Sequence, residues 1–146
     1  MTSKTAKTTD RLRLVLVGAG GMMRHHIGSL IQLQDRVEVV GIVEPDDRQA
    51  RLSRKVFLDA GVKPPQRRPE LSELMARVGA DAAFIASPHV FHYDQTVACM
   101  EAGLDVLLEK PMVMNAVEAR NLIAERDRLA KLLVVAFPGS LAPSIR

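Results

Sequence analysis

With 146 residues, 47% of them hydrophobic, the chain has the length and apolar content of one ordinary domain that can fill its own core. A formal charge of +3 spread along the chain, with only 3% aromatic residues, argues against nucleic-acid binding, which needs a basic stripe or stacking rings. No apolar run approaches the roughly 20 residues of a membrane span, and the single cysteine, Cys99, allows no intrachain disulfide, so a soluble cytoplasmic protein with no membrane partner is expected.

Taken in chain order, residues 1–10 are hydroxyl-rich and basic without the apolar stretch of a secretory signal, and they read as a disordered leader. Residues 11–138 read as the folded domain. Five short, β-branched runs punctuate it: Leu12 to Gly18, Val37 to Glu44, Ala82 to Ser87, Asp105 to Glu109 and Leu132 to Phe137. Their continuous rather than alternating apolar character predicts strands buried on both faces, the habit of a parallel sheet. Between them lie helical patterns over Met22–Leu33, Asp46–Ala60, Glu70–Val78, His92–Ala102 and Asn115–Lys131, with Gly61, Gly79 and Gly103 where helix C-termini should stop. The proline-rich segment from Gly61 to Leu71 leaves room only for a short edge strand. The alternation predicts an α/β fold, a doubly wound, mostly parallel Rossmann sheet in three αβα layers. Residues 139–146 read as a tail in which Pro143 opens a helix that has no body, the start of a linker.

The stretch VGAGGMMRHH (17–26) carries the chemistry. Gly18, Gly20 and Gly21 follow a strand and open a helix, the context of a dinucleotide fingerprint: Gly18 for the tight turn, Gly20 for close approach of backbone to a pyrophosphate at the helix N-terminus. Met22 and Met23 complete the turn. Met23 occupies the position where a third glycine or alanine is expected, so crowding against the strand is anticipated, relieved by Gly21 or Gly28. Glu44 lies 21 residues beyond Met23, at the end of the second strand, where an acid accepts hydrogen bonds from the adenosine ribose. A carboxylate there repels a 2′-phosphate and favours NAD, while Arg48, one turn further on, keeps NADP open.

Three stretches together, VGAGGMMRHH, DAAFIASPHVFHYDQTVACMEAGLDVLLEKPM and NAVEARNLIAERDRLAKLLVVAF, resemble the N-terminal domain of the Gfo/Idh/MocA family of glucose-fructose oxidoreductases and inositol dehydrogenases. The resemblance implies hydride transfer between nicotinamide and a secondary hydroxyl of a sugar or polyol. It matches Ser87 and Pro88 to the turn the cofactor crosses, His92 to the histidine opening the next helix, and Glu109, Lys110 and Pro111 to a Glu-Lys-Pro motif. Lys110 and His92 are thereby the candidate catalytic residues, with Ser87, Pro88, His92, Glu109 and Lys110 also on the cofactor, and no metal site is assigned. Both isomers of the Lys110–Pro111 bond stay open. Members of this family carry a second, substrate-binding domain with no counterpart in these residues, so the isolated chain is expected to be inactive and to self-associate as a homo-oligomer. A non-catalytic nucleotide-binding module and a self-associating fragment are the alternatives.

Overall fold

The computed structural model describes residues 11–137; the expected leader (1–10) and tail (139–146) lie outside the described residues. Strands β1 (Leu12–Val17), β2 (Val37–Val43), β3 (Gln66–Arg68), β4 (Ala82–Ile85), β5 (Asp105–Glu109) and β6 (Leu133–Ala136) form one sheet in the order β3-β2-β1-β4-β5-β6. Every neighbouring pair is parallel. The helices are α1 (Gly21–Gln32), α2 (Asp47–Asp59), α3 (Leu71–Met75), α4 (His92–Glu101) and α5 (Ala116–Leu129), and a 3-10 turn over His89–Phe91 leads into α4.

Two cores explain why the strands lack polar alternation. Leu14 and Leu16 of β1 pack with Met23 and Ile27 of α1 and Phe57 of α2. Their neighbours Val15 and Val17 point to the other face, against Leu74, Met100, Leu104 and Leu122 of α3, α4 and α5 and their flanks. Val15 and Leu16 are both wholly buried, and each side chain so removed from water stabilises the fold by about 1.5–3 kcal/mol. The expected three-layer Rossmann architecture is the one that forms.

Some boundaries differ from the sequence pattern, each for a local reason. Helix α3 ends at Met75 instead of running to Val78, so Gly79 terminates no helix. Gly61 (φ 71°) and Gly103 (φ 88°) do follow α2 and α4 in the left-handed region, while after α5 that conformation is taken by Ala130 (φ 51°). Short as it is, α3 docks closely on β2: a Cβ on Gly41 would lie 2.6 Å from Cδ1 of Leu74.

Candidate functional site

The order of strands reverses between β1 and β4, and the loops leaving these two strands part there to open a crevice at the carboxyl edge of the sheet. Gly18, the first residue after β1, has φ 88°, and a Cβ on it would stand 2.9 Å from both N and Cα of Ser87 at the end of β4. The turn therefore touches the neighbouring strand through bare backbone, a contact only glycine permits. At Gly20 the situation is reversed. This residue is the N-cap of α1, with no side chain capping the helix, and a Cβ built on it would meet nothing within 4 Å. The first-turn amides of α1 have no acceptor inside the helix, and the helix dipole favours an anion beside them. An open cradle lined by backbone donors suits a diphosphate.

Met23 corrects two expectations. Its side chain is wholly buried in the core with Leu16, Ile27 and Phe84, beneath α1 and away from the cradle. It neither crowds the turn nor faces the crevice. Gly28 relieves no crowding, because a Cβ on it would meet nothing within 4 Å. Met22, by contrast, is 51% exposed and lines the crevice. Gly21 is exposed, its nearest neighbour being the guanidinium of Arg24.

Glu44 follows β2 and is 8% exposed. Oε2 accepts a hydrogen bond from the Ala19 amide (2.8 Å), and Oε1 accepts one from the Asp46 amide (2.8 Å). The carboxylate thus ties the glycine turn to the start of α2 while each oxygen keeps a second lone pair for a ligand. Arg24 donates to the Ala19 carbonyl (2.8 Å) and to Oε1 of Gln49 (2.6 Å), closing the same turn from the helix side. Asp46 caps α2, accepting from the amides of Arg48 and Gln49; these bonds, the Gln49 one foremost, hold its carboxyl below the usual carboxylate range. Arg48 is exposed.

Across the switch point, the Ser87 hydroxyl bonds to Oε1 of Gln95 on α4. His92 departs from the expectation of a catalytic group facing the crevice. It is wholly buried, with Nδ1 2.8 Å from the Pro111 carbonyl oxygen and Nε2 3.1 Å from that of Ser87. The ring links the turn after β4 to the turn after β5. The Lys110–Pro111 peptide is cis. Glu109 receives His26 of α1 on Oε1 at 2.6 Å, and the Lys110 amide on Oε2 at 3.1 Å. Lys110 itself is exposed.

Two hollows result. The larger, about 530 Å³, runs from Gly18 and Glu44 past Pro45 and Leu71 to Ser87, Pro88 and Phe91. A smaller one of about 110 Å³ is bounded by Met22, Ser87, His89, Glu109 and Lys110. Ser87 borders both, so the glycine turn and Lys110 open on one continuous edge. Cys99 sits at the wall of the larger hollow with its thiol buried and its pKa pushed up to about 12 by desolvation. Sequence reasoning missed His26, Arg24 and Gln95; the doublet His25–His26 is plain in the sequence, but nothing in the linear pattern aims it at Glu109. No group of metal-ligating side chains occurs among the described residues, and none of their helices is long and apolar enough to cross a membrane.

Residues 12–137 match the family described as "Oxidoreductase family, NAD-binding Rossmann fold" (Gfo/Idh/MocA). The chain is 29% identical over 135 residues to D-glucoside 3-dehydrogenase of Escherichia coli K12, covering 92% of this chain and 37% of that one. It is 34% identical over 113 residues to inositol 2-dehydrogenase of Leifsonia xyli, covering 77% and 31%. Among solved structures it superposes on the WlbA dehydrogenase of Bordetella pertussis, crystallised with NADH and UDP-GlcNAcA, with a TM-score of 0.81 and 26% identity over 92% of this chain and 39% of that one. The chain therefore spans well under half the length of the relatives it matches.

Proposed function

The chain belongs to the Gfo/Idh/MocA oxidoreductase family, matching its NAD-binding Rossmann domain, and on that premise we propose that it holds NAD along the carboxyl edge of the sheet for the oxidation or reduction of a sugar or polyol. In this reading Gly18, Gly20, Gly21 and the first-turn amides of α1 receive the diphosphate, and Glu44 receives the adenosine ribose in the larger hollow. Ser87, Pro88 and Met22 border the path towards the smaller hollow, where Lys110 meets the reacting end. When bound, the nicotinamide accepts or donates the hydride. Lys110 hydrogen-bonds the substrate oxygen and stabilises the negative charge that develops on it. Glu109, braced by His26, and His92, braced between two carbonyls, hold the strand ends from which Lys110 projects.

The observation that carries the reading is the open cradle at Gly20 on the same edge as Lys110. Lys110 is exposed, so exclusion of water from the reaction requires further protein over the smaller hollow. Self-association is part of the proposal: Leu132, Val134 and Val117 leave apolar surface exposed around β6 and α5, and sedimentation that finds only monomer at high concentration removes that part.

Titration with NADH, followed by fluorescence in a chain without tryptophan, tests the cofactor; no saturable binding refutes it. A polyol panel with NAD then tests the chemistry. Lys110→Ala should leave NADH affinity within a few-fold and lower any turnover by about a hundredfold or more. Binding without turnover under any condition favours instead a nucleotide-binding module that does no chemistry.

A further inference from the structure

The cations that lie scattered in sequence are gathered by the fold at the opposite edge of the sheet. Around the amino ends of β1 and β2 is a hollow of about 730 Å³ bordered by Arg11, Arg13, Arg54, Lys63 and Arg77, with Glu38 its only carboxylate. Its excess of positive charge is larger than the +3 of the entire chain. Glu38 is already engaged by Arg11 at 3.2 Å, and Arg13 donates through Nε to the Gly79 carbonyl at 2.9 Å. Arg54 on α2, Lys63 before β3 and Arg77 after α3 have neither ion pair nor side-chain hydrogen bond among the described residues, though all three border the same space.

We propose that this hollow is a second binding site, for a small organic polyanion carrying phosphate or carboxylate groups on an apolar body. Unpaired like charges held around one concavity repel each other, and an anion between them relieves that repulsion. The site is rich in arginine, whose planar fork matches a carboxylate or phosphate with two parallel hydrogen bonds. Leu30, Ile31 and Phe57 supply an apolar floor, and the volume falls in the range of about 300–1,000 Å³ usual for small ligands. A nucleic acid fits less well, because the cations ring a cavity and the floor offers no exposed aromatic face on which a base could stack. At about 3.3 Å per residue along the six residues of β1, the hollow lies roughly 20 Å from the glycine turn, so both sites can be filled at once.

The test is calorimetric titration of the chain with inorganic tripolyphosphate and, separately, with citrate, at low ionic strength and with NADH saturating the crevice. One equivalent of at least one probe should bind, and the tighter of the two names the anionic group recognised. Arg54→Glu with Arg77→Glu should weaken that affinity by at least about tenfold. Lys63→Glu should act in the same direction, and Arg120→Glu on α5 should leave it unchanged. The substituted side chains are exposed, and an unchanged Tm establishes that the variants are folded. The proposal is overturned if neither probe binds, if the double variant binds the probe as tightly as the wild type, if Arg120→Glu weakens binding as much as the double variant, or if a duplex oligonucleotide binds more tightly as it lengthens.

Discussion

Gly20→Val separates the ligand's needs from the protein's. Gly20 has φ −66° and ψ −174°, extended backbone that any residue adopts, and a Cβ there meets no protein atom within 4 Å. Valine is a poorer N-cap than glycine by about 0.5–1 kcal/mol, but it removes unfolded-state freedom worth about 0.4–1 kcal/mol. The two nearly cancel, so Tm should move by no more than a few degrees. The ligand fares differently. The valine side chain fills the cradle and pushes a diphosphate away from the first-turn amides. Losing two charge-assisted hydrogen bonds costs about 3 kcal/mol, or roughly a hundredfold in Kd for NADH. Gly18→Ala should invert the pattern: at φ 88°, with its Cβ 2.9 Å from the Ser87 backbone, the strain should lower stability by about 3 kcal/mol or more and Tm by about 10 °C. Paired NADH titrations and thermal melts check both. An NADH affinity for Gly20→Val within about threefold of the wild type, in a protein that melts normally, would refute the assignment of the cradle.

Glu44→Gln leaves either the Ala19 or the Asp46 amide facing an amide NH2, which should cost about 1–3 kcal/mol of stability; removing the charge should also shrink any preference for NADH over NADPH, and an unchanged preference takes the ribose from Glu44. Asp46→Ala should lower Tm at neutral pH. Because the folded-state pKa of Asp46 lies below its ordinary value of 3.8, its stabilisation is present above that pH and is lost as pH falls through the folded value, so the melts of variant and wild type should converge in acid. Cys99, buried with a pKa of about 12, should resist a thiol reagent at pH 8 in the native protein and react only on unfolding; rapid native labelling would contradict the packing of α4 against β4.

Much of this protein is local in origin and could be read from the chain. Buried parallel strands declare themselves by continuous apolar runs, and the glycine turn by short-range backbone demands, so the sheet, its helices and the positions of Gly18, Gly20, Glu44 and Lys110 at strand ends were legible. The direction of a side chain in the first turn of a helix was not. Whether Met22 or Met23 points inward depends on the rotation of α1 over β1 and β4, a matter of packing between segments far apart in sequence. The same holds for His92, whose two acceptors come from Ser87 and Pro111, and for the meeting of His26 with Glu109 across 83 positions. It holds most of all for charge. Spread along the chain, the cations cancel into a modest net value; only the fold brings Arg13, Arg54, Lys63 and Arg77, from four separate segments, to the border of one hollow.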